Sequence, residues 1–334
     1  MLNLYQMEYI QLLGGLLLLF FSGDYLVRGG VSLARIFKIS PLVIGVTVVA
    51  FGTSAPELIV SVNAALTGHP EISIGNVIGS NIANIGLVLG LTSMVLALPV
   101  QSDSIRFDWP VMMLASVIFY FSLADGIVGA WEGISFLLIL SGFIFLSIYR
   151  SRKLHKKQKP LPDEKIYSLG ISLLFVTLSC VGLAFGSELL IRGASGIARM
   201  LGVTERVISI TLIAFGTSVP ELTASLIAAF KKQTDISIGN IIGSNIFNIF
   251  AVIGTASTIH VIEVDSSGFA YDVLWMLLFA LLLLLFSWPF FTNLRNYRHL
   301  KKPIVLLGTQ GGVLVRWSGF ILTLGYLYYI YTLF

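Results

Sequence analysis

Residues 50–58 read AFGTSAPEL, and residues 214–222 read AFGTSVPEL. The same shift of 164 positions carries 72–85, ISIGNVIGSNIANI, onto 236–249, ISIGNIIGSNIFNI. Between 43 and 90 the two copies agree at 28 of 48 positions without a gap. Each copy sets Pro, Glu, Ser, Thr and Asn inside segments apolar enough to lie in a bilayer. An ionisable group at membrane depth costs about 2.5–3.5 kcal/mol or more, so a doubled glutamate there marks function.

Composition agrees with that setting. Hydrophobic residues make up 56% of the chain and charged residues 11%, against about 25% charged in a soluble domain. A membrane span needs about 20 mainly apolar residues. Candidate spans fall near 9–36, 41–66, 71–98, 107–124, 130–149, 166–200, 205–230, 236–262, 270–290 and 304–332. The expected fold is an all-α polytopic membrane protein of ten transmembrane helices, with little left over for a soluble domain. No Lys or Arg precedes the first apolar run, which argues against a cleaved signal peptide. The single cysteine, Cys180, rules out an internal disulfide and reads as a packing residue. The net charge of +4 reflects basic residues scattered over inter-helix loops, not a nucleic-acid surface.

Those loops predict the orientation. With the N-terminus outside and the spans alternating, sixteen Lys and Arg fall in inside loops and two, Arg199 and Arg206, in outside loops. Such a positive-inside bias puts both termini outside. A shift of 164 residues crosses five spans, an odd number, so the second copy enters the membrane upside down. The chain divides into a first inverted repeat (1–149), a cytoplasmic basic connector (150–165) and a second inverted repeat (166–334). Inverted repeats built around broken helices are the plan of secondary transporters, with the ion site where the repeats meet.

Within span two, Pro56 lacks a backbone donor and clashes with the carbonyl four residues back, at Gly52. Carbonyls from about Ala50 to Thr53 are thereby freed, and in lipid they need protein, water or an ion. Thr53 and Ser54 precede Glu57 by four and three residues, which predicts hydroxyls and carboxylate on one helix face. Ala214, Gly216, Thr217, Ser218, Pro220 and Glu221 repeat the arrangement. In span three, Asn76, Ser80 and Asn84 form a polar stripe at a spacing of four, repeated by Asn240, Ser244 and Asn248. Gly75 with Gly79, and Gly239 with Gly243, allow close helix approach beside that stripe. Asn76 and Asn240 fit a ligand role or an inter-helix tie equally well; Asn81 and Asn245 fall off the stripe and read as ties.

The inventory is oxygen only, with no sulfur and no imidazole: His69, His155, His260 and His299 lie in loops or near span ends. Hard oxygen donors select Ca²⁺, Mg²⁺, Na⁺ or K⁺ over Zn²⁺ and Cu⁺. Ca²⁺, with about 6–8 oxygens in adaptable geometry, suits this set better than octahedral Mg²⁺. Two glutamates neutralise one Ca²⁺ or partly balance several Na⁺. A site that holds either but not both is what an antiporter requires.

GTSAPE with GNVIGSNIAN, repeated as GTSVPE with GNIIGSNIFN, resembles the paired alpha-repeats of the calcium:cation antiporter superfamily, and within it the sodium/calcium exchanger family. The resemblance implies two inverted five-helix halves, an ion core of spans 2, 3, 7 and 8, and long tilted spans 1 and 6 that slide to alternate access. It implies ion ligands at Thr53, Ser54, Glu57, Ser80 and Asn84, and at Thr217, Ser218, Glu221, Ser244 and Asn248. Carbonyls of Ala50 and Ala214 join them. Potassium-dependent members of the superfamily and some prokaryotic members carry aspartate at the place of Asn248; asparagine in both repeats resembles the potassium-independent exchangers. The expected transported ions are Ca²⁺ and Na⁺, with H⁺ as an alternative coupling ion in the proton-coupled branch and a cation channel as the reading from another class. The large regulatory domains of eukaryotic exchangers are missing, and the compact chain looks like one of a prokaryotic inner membrane. No cofactor, nucleic acid or obligatory protein partner is expected, and no enzyme: neither HExxH nor a Walker motif occurs.

Two charged pairs repeat at the same shift, Asp24 with Arg28 and Glu188 with Arg192, each four apart. The simpler reading is a local ion pair on each helix; the sharper one places them along the ion paths.

Overall fold

The computed structural model describes residues 4–155, 166–204, 208, 216–263, 266–288 and 312–333. Within them the helices are α1 (Leu4–Phe37), α2 (Pro41–Thr53), α3 (Ala55–Leu66), α4 (Pro70–Val95), α5 (Ser104–Ser122), α6 (Ala130–His155), α7 (Leu169–Met200), α8 (Val219–Phe230), α9 (Thr234–Ile259), α10 (Ser266–Ser287) and α11 (Arg316–Thr332). Seven of these are long and apolar enough to cross a membrane, eight with α2 and α3 taken as one broken span. The protein is a multi-pass all-α membrane protein. Expected span seven is described only from 216 on, apart from residue 208, and α11 has 17 residues.

The repeat is written into the element boundaries. A shift of 164 carries α3 onto α8 and α4 onto α9, end to end. It also carries a π-helical stretch at Asn84–Leu89 onto another at Asn248–Ile253. Such wide turns inside α-helices cluster at functional sites. Two short antiparallel ribbons clip the halves to each other: Leu98–Pro99 (β1) pairs with Val313–Leu314 (β4), and Ile127–Val128 (β2) with Ile262–Glu263 (β3).

The 34-residue α1 would reach about 50 Å, well beyond a hydrocarbon core of about 30 Å, so it must tilt. It packs along α7 through positions without room for a side chain. A Cβ on Gly193 would lie 2.5 Å from Leu12 N, and one on Gly15 would lie 2.6 Å from Leu190 N. Farther along, Gly29 meets Ser172. Residue numbers rise on one helix as they fall on the other, so α1 and its repeat counterpart α7 run antiparallel. Deeper in the core α9 also meets α2 at glycines: a Cβ on Gly45 would lie 2.7 Å from Ile236 O, and one on Gly243 2.5 Å from Val46 O. Close backbone approach at small residues is how helices associate where lipid supplies no hydrophobic drive.

Four helix ends share one stop. The chain turns through positive φ at Lys38 (55°), Gly68 (81°), Gly202 (79°) and Lys232 (61°). Each turn closes with a backbone N–H bonded five residues back: Ile39 to Ala34 O at 2.9 Å, His69 to Ala64 O at 2.9 Å, Val203 to Ala198 O at 3.0 Å and Gln233 to Ala228 O at 2.8 Å. The repeat pairs Lys38 with Gly202 and Gly68 with Lys232. Glycine is the usual residue at this stop. Lysine holds it at a cost of about 1 kcal/mol, and only at the two ends that the charge bias assigns to the inside.

Candidate ion-binding site

The site is built where the broken spans meet α4 and α9. The helix stops at Ser54, with φ −83° and ψ 4°, and at Ser218, with φ −87° and ψ −1°. A proline two residues on starts the next helix in each case, and α2 and α3 meet at 46°. Glu57 and Glu221 therefore fall in the first turns of α3 and α8, where the positive end of the helix dipole favours a carboxylate.

Both carboxylates are fully buried, as are Thr53, Asn84, Ser244 and Asn248, with Ser54, Ser80 and Ser218 nearly so. Among the described residues neither oxygen of Glu57 has a hydrogen-bond partner, and Oε2 of Glu221, Oγ of Ser218 and the Oδ1 atoms of Asn84 and Asn248 have none. Leaving a buried carboxylate unpaired costs several kcal/mol, and the two carboxylates repel each other. Among the described residues no group of three or more His, Cys, Asp or Glu gathers. What does gather is two carboxylates and a set of neutral oxygens, several of them without a hydrogen-bond partner among the described residues.

The spacing places Thr53 and Ser54 beside their own Glu57, but the structure aims both across the repeat boundary. The Ser54 hydroxyl donates to Glu221 Oε1 at 3.5 Å, and Thr53 donates to Asn240 Oδ1 at 3.0 Å with Ser244 Oγ 3.3 Å away. The break at Ser54 interrupts the regular face that a spacing argument assumes. Asn76 and Asn240 resolve as ties: Asn76 Nδ2 donates to Glu57 O at 3.3 Å and Ser61 Oγ at 2.9 Å, and Asn240 Nδ2 to Glu221 O at 3.4 Å and Ser225 Oγ at 3.1 Å. Ser61 and Ser225, which receive these ties, repeat at the same shift but carry no local signal of that role. Ala50 is fully buried in α2, and its carbonyl is not freed as expected, because the helix runs on to Thr53: it accepts from Ser54 N–H at 2.9 Å and from Thr53 Oγ1 at 3.3 Å; Ala214 lies outside the described residues.

The comparisons decide the family. The sodium/calcium exchanger protein family matches residues 7–149 and 171–334. The chain belongs to the sodium/calcium exchanger family. The putative antiporter CaxA of Alkalimonas amylolytica is 38% identical over 90% of this chain and 96% of its own. The inner membrane protein YrbG of Escherichia coli is 35% identical over 96% of each chain. The solved sodium/calcium exchanger from Methanococcus jannaschii superposes with a TM-score of 0.77 at 29% identity, covering 98% of both chains.

For an exchanger, the two charged pairs on the long helices differ in a way the sequence hides. Glu188 and Arg192 pair locally on exposed positions of α7. Asp24 binds Arg28 Nε at 2.6 Å and also Lys231, at the end of α8 in the other half. The repeat counterpart of Lys231 is Thr67, which carries no charge, so that position offers Glu188 no matching ion pair. Partly exposed ion pairs contribute up to about 1 kcal/mol. Asp24→Asn should change the initial rate of ion flux by up to about fivefold, and Glu188→Gln by less. Rates per folded transporter in vesicles check the order, and a larger effect of Glu188→Gln would contradict it.

Proposed function

We propose that this protein exchanges Na⁺ for Ca²⁺ across a prokaryotic inner membrane by alternating access, without K⁺ or nucleotide, and with both termini outside. The observation that carries the reading is the pair of fully buried carboxylates, Glu57 and Glu221, three of whose four oxygens have no hydrogen-bond partner among the described residues. One Ca²⁺ balances their charge, and neutral oxygens of Thr53, Ser54, Ser80, Asn84, Thr217, Ser218, Ser244 and Asn248, with the Ala50 and Ala214 carbonyls, fill out the shell of about 6–8 that Ca²⁺ takes. Na⁺ draws on the same oxygens, so the two ions compete.

The antiparallel packing of α1 on α7 supports a division into inverted halves at the 150–165 connector. The contact between this pair and the core supports sliding. Gly52 abuts Cys180, Gly23 abuts Ile227 and Gly216 abuts Ile191, so at each contact one of the two surfaces carries no side chain. Asparagine at both Asn84 and Asn248 supports K⁺ independence.

The test is Ca²⁺ uptake into proteoliposomes loaded with Na⁺ and diluted into Na⁺-free medium. Uptake is expected, with no requirement for K⁺. Uptake driven by a pH gradient with no Na⁺ effect would move the reading to Ca²⁺/H⁺ exchange, and conduction without a counter-ion would make it a channel.

A further inference from the structure

Behind the two ligand amides lies a second layer of amides, cross-connected between the halves. Asn248 Nδ2 donates to Asn81 Oδ1 at 3.2 Å, and Asn84 Nδ2 donates to Asn245 Oδ1 at 3.1 Å. The repeat exchanges Asn81 with Asn245 and Asn84 with Asn248, so these are one contact seen twice. Asn81 Nδ2 donates onward to Asn245 O at 3.3 Å and to Met276 Sδ at 3.5 Å; Asn245 Nδ2 donates to Met112 Sδ at 3.6 Å. Met112 and Met276 are themselves 164 residues apart, on α5 and α10, outside the doubled passage and nearly fully buried.

We propose that Asn81 and Asn245 are positioning residues that fix which end of the Asn248 and Asn84 amides faces the ions, each anchored by a methionine of the other half. A backbone carbonyl and a thioether only accept, so the NH₂ end of Asn81 must point at them. Its Oδ1 is then turned toward Asn248, whose NH₂ is taken up there, and the Asn248 Oδ1 is left unpartnered at the site. The orientation passes from a fixed carbonyl through two side chains to a ligand oxygen. On the other side the same order runs from Met112 through Asn245 to Asn84, but among the described residues the anchor of Asn245 is the thioether alone, a weak acceptor. Turning either ligand amide over would present a positive NH₂ to a cation.

The inference rests on the ion site proposed above, and its test separates the two. Purified parent, Asn81→Leu, Asn245→Leu, Met112→Leu and Met276→Leu are titrated with Ca²⁺ and with Na⁺, read by the shift in thermal midpoint, alongside Na⁺-driven flux in vesicles. Half-saturation does not depend on how much protein folded, so a merely structural role would not move it. Asn81→Leu and Asn245→Leu should each raise the half-saturating Ca²⁺ about tenfold, ~1.4 kcal/mol. Met112→Leu, which conserves volume, should raise it more than Met276→Leu, because Asn81 keeps its carbonyl anchor. With Asn84→Ala already in place, Asn245→Leu should add less than about twofold, the mark of residues acting through one another. Unchanged half-saturation in both Asn variants, or full additivity in that cycle, overturns the proposal. Should the Asn variants not fold, an unchanged Met112→Leu overturns it. A parent that binds Ca²⁺ but shows no Na⁺-driven flux sinks the exchange reading alone, and a parent that binds neither ion sinks both.

Discussion

Glu57→Gln and Glu221→Gln should each abolish Ca²⁺ transport and, in ion-free protein, raise the thermal midpoint. Each substitution removes half of the formal negative charge that faces a divalent ion in a low-dielectric site, where charge acts most strongly. Glutamine keeps the size, and among the described residues no hydrogen bond to the Glu57 side chain exists to be broken, since neither of its oxygens has a partner there. At Glu221 the amide oxygen can still accept from Ser54, as Oε1 does now at 3.5 Å. The fold therefore loses nothing, and it sheds the cost of a buried unpaired charge, several kcal/mol in the ion-free state. Stabilisation by added Ca²⁺ should disappear together with flux. Thermal unfolding with and without Ca²⁺, beside vesicle uptake, reads both parts. A Gln variant that transports at the parent rate would remove its carboxylate from the ligand set.

Much of this was legible in the sequence because the doubled passage carries strong local rules. Pro56 and Pro220 predict breaks by chemistry alone, and the structure interrupts the helix at Ser54 and Ser218, two residues earlier. The apolar runs predict most span limits, and α3, α4, α8 and α9 follow the shift of 164 to the residue. What spacing could not supply is partnership across the repeat boundary. Helical periodicity describes one helix at a time, so Thr53 and Ser54 were placed beside Glu57, whereas their hydroxyls reach Asn240, Ser244 and Glu221. Asn81 and Asn245 were legible as ties, but not as the amides that orient Asn248 and Asn84. The tie from Asp24 to Lys231 was hidden for the same reason: an i, i+4 partner at Arg28 satisfied the local rule and masked the distant one. Ser61 with Ser225 and Met112 with Met276 also repeat at 164, outside the motifs that carry the local rules.

Asn248→Asp should change how transport depends on pH or K⁺ instead of merely weakening it. The substitution keeps size but replaces the NH₂ that donates to Asn81 Oδ1 at 3.2 Å with an oxygen. Two acceptors then face each other. Asn81 can turn its amide over only by giving up its bonds to Asn245 O and Met276 Sδ. A proton on the new carboxyl avoids that rearrangement by restoring a donor toward Asn81, and it leaves the formal charge of the site at that of Glu57 and Glu221. Ionised, the carboxyl adds a third negative charge that a further cation must balance. The variant should therefore resemble the parent near the acidic end of a range from about pH 6 to about pH 9 and diverge toward the alkaline end. There, K⁺ becomes a candidate for the extra cation. Ca²⁺ flux in parent and variant across that range, with and without K⁺, checks the sign. Coincident profiles would mean that Asn248 does not face the ions, and that the second half contributes no amide to them.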